Sequence, residues 1–544
     1  MSFGSYFLAR VARLPKARFR TTHTRNIRVP MRDGVTLETD VYVPRNGVRS
    51  PTILMRVPYG MRGFDTVGEF YAEQGYNAVL QACRGTSKSG GEFDPLSHER
   101  DDGLDTLDWL RQQPWFDGRL GLSGPSYLGY AQWAISDALP AQAALTVKVT
   151  SAEFKTIVFP GGAFNLGLLF GWLQVMEGIR ARPLHTMRLM ASGGIERVSA
   201  RAAMKMPLID ADRRMFRREI PFWRHWLTHA VGNDAFWEEL DHTHRIGSRT
   251  PPTSFVSGWY DFMLDQLLRD YEALVEAGGS ARLTIGPWFH ISEELQWESI
   301  RDTLSWMNAQ LMGDRSQLHD KPVRLHVGGA DEWHSFAAYP PGVPDTQIWH
   351  LHPEKVLSQR PVKTSEPDRY TFDPNRPTPS VGGAMFAFSG AGPVNQAKLE
   401  ARKDVLSYTS EPLVSNLTII GNVRAMIYAR ASLPDADLFV RLCDVDEKGV
   451  SINVCDGIIR KSSADPAVPD DVWKLNFKLH ATAYTFKRDH RLRLTVSSGA
   501  HPRYLRNPGT GEPLGTGTNL NKVDMEIFHD PTRPSAIHLP VFEL

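Results

Sequence analysis

At 544 residues the chain is too long for one hydrophobic core, so two to four domains are expected. Its 62 Lys and Arg against 61 Asp and Glu leave no electrostatic footprint for nucleic acid, and no apolar run approaches the length of a membrane span. Hydrophobic residues at 42% and charged residues at 23% are those of a folded globular protein.

The cysteines, Cys83, Cys443 and Cys455, include no CxxC pair, so neither a zinc module nor a disulfide framework is indicated. A cytoplasmic setting fits free thiols, while a pairing of Cys443 with Cys455 across neighbouring strands stays open. Before Asp33 the chain carries Arg10, Arg13, Lys16, Arg18, Arg20, Arg25, Arg28 and Arg32 without an acidic residue. Residues 1–14 lack the apolar run of a secretory signal. Residues 1–25 read as a basic surface arm, although the Arg-rich character also suits a transit peptide.

In residues 26–44, Asp33-Gly34 marks a hairpin turn, and Val35, Leu37, Val41 and Val43 alternate beyond it as a half-buried strand requires. Residues 50–60 and 76–85 read as buried strands. Leu104, Leu107 and Leu110 predict a helix over 98–110. RLGLSG (119–124) is a short strand and residues 127–139 continue as a helix. Strands alternating with helices imply a mainly parallel sheet. From 151 to 248 long helical stretches, including PFWRHWLTHAV and NDAFWEEL, predict an inserted helical cap. The strands TSFVSGWYD and ARLTIGPWFH flank a helix ending near Ala277, so α/β character resumes over 249–320. Beyond 321, alternating runs such as VRLHVGG, RAMIYARASL and RLRLTVSS predict an all-β sandwich or jelly roll to residue 544.

The chemistry centres on Gly124-Pro125-Ser126-Tyr127-Leu128-Gly129, where a strand gives way to a helix. A serine on such a turn presents its hydroxyl above the sheet edge. The usual elbow is GxSxG; here Leu128 takes the place of the last Gly and Gly129 follows. A hydroxyl is a poor nucleophile unless a base removes its proton and a carboxylate orients that base. Asp261 and His290 each follow a predicted strand, in the chain order Ser, acid, His that this fold uses. An oxyanion hole is expected from the Tyr127 amide and from Tyr59, whose phenol stays protonated at neutral pH and can donate.

These segments resemble the cocaine esterase / X-prolyl dipeptidyl-peptidase family of α/β-hydrolases (S15, CocE/NonD type), which includes α-amino-acid ester hydrolases. The resemblance runs from about Asn26 to the C-terminus. It rests on DGVTL, VPYG, CRGTSKSGGEF, WFDGRLGLSGPSYLGYAQW, GWYD, GPWFH, PVRLHVGGADEW and HRLRLTVSSGAHPRYLRNPGTG. It implies a hydrolase core, a helical cap and a C-terminal jelly roll. Ser126 would be nucleophile, Asp261 orienting acid, His290 base, with Tyr59 and Tyr127 as the oxyanion hole. Where relatives usually carry an acidic residue before RG, this chain has Ala82 and Cys83.

Relatives that cleave α-amino-acid esters place carboxylates just after the catalytic acid, whereas Met263 and Leu264 stand here. An ammonium group would be buried there without a counter-charge. Glu293 and Glu294 read as exposed loop residues rather than substitutes. Met263 matches a position lining the acyl pocket of cocaine esterase-like members, and Trp172, Phe164 and Trp259 are further pocket candidates or core residues. An ester with an apolar acyl group is the expected substrate. X-Pro dipeptidyl-peptidase, amide hydrolase or acyltransferase activity on the same site, and a binding protein with an inert core, are the alternatives. His242 and His244 form an HxH without other ligand motifs, so no metal is expected, nor any organic cofactor. The expected partner is a small ester or amide. Nucleic acid and membrane are not expected, and edge strands of the β-rich domain offer a route to a homodimer.

Overall fold

The computed structural model describes residues 3–229, 235–462, 465 and 471–544. Its centre is a ten-stranded sheet in the order β1-β2-β4-β3-β5-β6-β7-β8-β9-β10. The strands are β1 (Thr21–Pro30), β2 (Thr36–Pro44), β3 (Ser50–Val57), β4 (Asn77–Ala82), β5 (Phe116–Pro125), β6 (Ala143–Lys148), β7 (Thr253–Tyr260), β8 (Ala281–Phe289), β9 (Val323–Val327) and β10 (Glu332–Phe336). From β4 to β9 neighbours run parallel; β1, β2 and β10 pair antiparallel.

Both faces of this sheet are covered, which is why its strands read as continuous apolar runs rather than alternations. Along β3, Ile53, Met55 and Val57 pack with Phe70, Tyr71 and Met307. Leu54 packs on the opposite side with Leu107 and Leu110. The hairpin turn at Asp33 is tied to the following unit by Arg84, whose guanidinium donates to Asp33 (2.6 Å) and to Asp102 (2.6 Å). The strand-to-helix alternation thus carries the chain repeatedly to the same sheet edge, where the C-terminal ends of β3, β5, β7 and β8 lie together.

Between β6 and β7 the chain forms the expected helices, among them Leu166–Ala181, Pro183–Ala191, Gly194–Ala203 and Pro221–Thr228. The parts of PFWRHWLTHAV and NDAFWEEL that fall on 230–234 lie outside the described residues. After β10 the chain builds a second, 14-stranded assembly with its own core around Ile419, Ile427, Leu438, Leu494 and Ile537.

Several local expectations shift. The first residues are more than a surface arm. Phe3–Val11 is a helix whose Leu8 is buried against the core, and β1 begins at Thr21. Counting basic residues misses this, because the burial depends on Leu8 and Ala12 lying one turn apart. The core sheet also runs past 320: β9 and β10 extend it to Phe336 before the second assembly begins. The helix after Ser126 stops at Trp133, where the Ala134 carbonyl accepts from Arg100. Cys443 and Cys455 are buried free thiols, offset along adjacent strands: Cys443 faces Asn453 and Cys455 faces Leu442.

Candidate active site

Ser126 stands between β5 and the helix Tyr127–Trp133 with φ 59° and ψ −124°. An L-residue takes up this strained backbone only where its surroundings enforce it. The Ser126 amide donates to the Lys148 carbonyl (2.8 Å), and its carbonyl accepts from Thr150 Oγ1 (2.7 Å). The unusual elbow sequence has a packing reason. A Cβ at Gly124 would sit 2.4 Å from Leu128, so the bare glycine makes room for the leucine that replaces the usual last Gly. A Cβ at Gly129 would sit 2.3 Å from Thr150 Cγ2, which moves the second obligatory glycine one place along.

The three residues picked from strand ends converge. His290 Nε2 lies 3.0 Å from Ser126 Oγ, and His290 Nδ1 lies 2.7 Å from Asp261 Oδ1. Asp261 is fully buried at 0% exposure; its carboxylate accepts from Ser257 Oγ (2.7 Å) and from the Met263 amide (3.2 Å). A carboxylate accepting from Nδ1–H leaves Nε2 unprotonated and aimed at the serine, the arrangement of a general base. The Phe262 ring lies 4.4 Å from the imidazole and shields it from water.

Tyr59 and Tyr127 both border Ser126. Burial pushes the Tyr59 phenol above its ordinary pKa, with weaker opposition from hydrogen bonding to Trp172 and Ser126, so it remains a proton donor. The Trp172 indole N–H donates to the Tyr59 hydroxyl oxygen (3.4 Å), leaving the phenolic hydrogen available. The Tyr127 amide opens its helix and so has no carbonyl one turn back. Its side-chain hydroxyl is anchored by donating to Glu99 (2.9 Å) and accepting from the Leu96 amide (2.8 Å).

Around these groups lies a narrow cavity of about 30 Å³. Tyr127, Trp172 and Trp226 stack along one wall, at 6.4 Å and 6.2 Å between ring centroids. Leu168, Leu169, Met263 and Phe386 contribute further apolar surface, and among the described residues no Asp, Glu, Lys or Arg lines it. Two expected lining residues lie elsewhere. Phe164 packs against Phe159 and Trp223; it precedes the helix Leu166–Ala181 and so is not carried on the face that presents Leu168 and Trp172. Trp259 turns into the core beneath the sheet, where its indole N–H donates to the His326 carbonyl (2.6 Å). Trp226, Phe262 and Phe386, which no sequence pattern marks, line the cavity as well. Glu293 and Glu294 are exposed at the start of the helix Glu293–Leu311 and absent from the cavity.

Residues 33–292 match the X-Pro dipeptidyl-peptidase (S15 family), and residues 316–538 match the X-Pro dipeptidyl-peptidase C-terminal non-catalytic domain. Cocaine esterase from Rhodococcus sp. (strain MB1 Bresler) is 31% identical, covering 95% of this chain and 98% of the esterase. The chain belongs to the S15 family of α/β-hydrolases. As such it is a serine hydrolase with a C-terminal all-β domain. Solved structures of similar fold include an aminopeptidase from a marine sediment archaeon, Thaumarchaeota archaeon, at 21% identity and TM-score 0.80, covering 97% of this chain and 98% of that one. An α-amino acid ester hydrolase matches at 22% identity and TM-score 0.80 over the same shares. A CocE/NonD family hydrolase from Staphylococcus aureus matches at 17% identity and TM-score 0.67, covering 96% and 94%.

Two sequence features that could suggest other chemistry, Cys83 and His242, are both buried. Cys83 is buried beside Glu99, and burial followed by that carboxylate raises its thiol pKa well above the ordinary value, which suppresses the thiolate. His242 is buried against Tyr130, and among the described residues no group of three or more His, Cys, Asp or Glu is placed to hold a metal ion. No helix among them is long and apolar enough to cross a membrane.

Proposed function

We propose that this S15-family hydrolase is an esterase that cleaves carboxylic esters with an apolar acyl group, using Ser126, His290 and Asp261 as a triad. The observation that carries the reading is the hydrogen-bonded series Asp261–His290–Ser126, at 2.7 and 3.0 Å, on the border of a cavity that no Asp, Glu, Lys or Arg lines among the described residues. Ser126 Oγ attacks the ester carbonyl as His290 Nε2 takes its proton. The oxyanion then accepts from the Tyr59 hydroxyl and the Tyr127 amide. The protonated imidazole gives its proton to the departing alkoxide, and an acyl-enzyme remains. Water, deprotonated by His290, attacks that ester; the carboxylic acid leaves and Ser126 regains its proton.

The cavity argues for the acyl class. A substrate ammonium would lose its hydration there and find no carboxylate among the described lining residues, which disfavours both aminoacyl esters and the free N-terminus of an X-Pro peptide. Flat or slender apolar groups fit the stacked aromatic wall. The test is hydrolysis of p-nitrophenyl butyrate by wild type and Ser126→Ala, followed by a panel of acyl and aminoacyl p-nitrophenyl esters. Turnover that vanishes with Ser126→Ala and favours uncharged acyl groups is expected. A preference for charged aminoacyl groups refutes the substrate class, and turnover surviving Ser126→Ala refutes the nucleophile.

A further inference from the structure

The C-terminal domain of this family carries the description non-catalytic, yet one of its side chains reaches the turn that holds Asp261. His480 sits between the strands Trp473–Lys478 and Thr482–Phe486. Its turn is pinned by the Leu479 amide donating to the Val423 carbonyl (2.7 Å) and the His480 amide donating to the Asp456 carbonyl (2.9 Å). From there the ring spans two acceptors. Nε2 lies 2.7 Å from the Asp261 carbonyl oxygen, and Nδ1 lies 2.8 Å from Asp265 Oδ2. The other Asp265 oxygen accepts from the Ala481 amide (3.0 Å) and from Asn422 Nδ2 (3.0 Å), both from the same domain.

A backbone carbonyl and a carboxylate can only accept, so both ring nitrogens need a hydrogen whichever way the ring is turned. The geometry therefore calls for an imidazolium. Asp265 lies in the first turn of the helix Leu264–Glu276, so one ring grips the two ends of the turn between the acid and that helix. We propose that His480 is a positioning residue: the β domain wedges its imidazolium between Asp265 and the Asp261 carbonyl and thereby holds the acid in register with His290. The proposal rests on the triad reading above.

The electrostatics agree. Burial works to lower the His480 pKa, but the charge of Asp265 and the hydrogen bond to it outweigh burial and raise it; Arg503 opposes and Asp456 assists. For Asp265 burial works upward, and His480, the Ala481 amide and Asn422 bring the net shift below the usual value. A histidine whose folded pKa is raised holds its clamp below that pKa and releases it as pH rises through it. Turnover should therefore carry an alkaline limb of its own.

The experiment measures kcat and KM for p-nitrophenyl butyrate from about pH 6 to about pH 9.5. It compares wild type, His480→Gln, Asp265→Asn and, as reference, Asp261→Asn. His480→Gln should lower kcat roughly tenfold with KM nearly unchanged, since the acid is misplaced but the pocket is not. The alkaline limb should disappear in His480→Gln and move to lower pH in Asp265→Asn, where the imidazolium has lost its counter-charge. Wild-type kcat and an unmoved alkaline limb in either variant, with Asp261→Asn severely impaired, overturn the clamp and leave the triad standing. Full activity in Asp261→Asn overturns the triad reading itself. If His480→Gln fails to fold, the limb in Asp265→Asn decides alone.

Discussion

Gly129→Ala tests the packing that forces this elbow to depart from the familiar motif. Gly129 lies inside the helix Tyr127–Trp133, and on helix propensity alone alanine there should stabilise by about 1 kcal/mol. The structure predicts the opposite sign. The new Cβ would lie 2.3 Å from Thr150 Cγ2, 2.6 Å from its Cβ and 2.7 Å from its Oγ1. Carbon atoms in contact normally sit about 3.5–4.0 Å apart, so the overlap exceeds about 1 Å. Thr150 is wholly buried and has no free space to retreat into. Overpacking of this kind costs about 1–3 kcal/mol. Thr150 also donates to the Ser126 carbonyl, so its displacement reaches the proposed nucleophile. A shift of about 1 Å there lowers kcat about a hundredfold. Thermal unfolding and kcat on p-nitrophenyl butyrate read the two effects. Adding Thr150→Ser, which deletes the nearest methyl and keeps the hydroxyl, should recover part of each. A Gly129→Ala protein as active and as stable as wild type would refute the argument.

Tyr59→Phe removes the proposed oxyanion donor while keeping the ring, and kcat should fall about a hundredfold with little change in KM; an unchanged kcat would refute that role for Tyr59. Acid should destabilise the fold through His242, which burial, followed by Arg245 and His244, holds down at about 3 from an ordinary 6.5. A depressed histidine keeps its contribution above the unfolded pKa and loses it as pH falls toward the folded one. At pH 5 the loss is about 2 kcal/mol, from protonation of the unfolded chain alone. Urea midpoints at pH 7 and pH 5 for wild type and His242→Phe measure it. An equal drop in both proteins would assign the acid sensitivity elsewhere.

What could be read in the chain alone was whatever depends on local order. Ser126, Asp261 and His290 were legible because each ends a strand, and parallel strands deliver their C-terminal ends to one edge. The pocket walls were less legible because they depend on which way a side chain turns. Trp259 sits two residues before the acid, yet the pleat of β7 directs it toward His326. Phe164 is four residues before Leu168, a helical interval, but the helix begins only at Leu166. Phe386 lies in a loop of the β domain with no periodicity to mark it, and only the packing of that domain against His290 and Phe262 brings it to the cavity. The His480 contact is hidden for the same reason, since it joins residues 219 positions apart.

The division of the cavity among segments has a bearing on how such hydrolases diversify. Every group assigned to bond making lies between Tyr59 and His290 at the ends of sheet strands, whereas Leu168, Leu169, Trp172 and Trp226 come from the inserted helices and Phe386 from the far domain. On the proposed reading much of the wall is therefore written in stretches of chain apart from the reacting groups, with Tyr127, Phe262 and Met263 shared between the two. If the proposed function holds, exchange of the loop around Phe386, or of insert residues other than Trp172, which donates to Tyr59, should redraw the acyl preference while Ser126 and His290 stay in place. A library confined to those walls samples new substrates without first having to rebuild a catalyst.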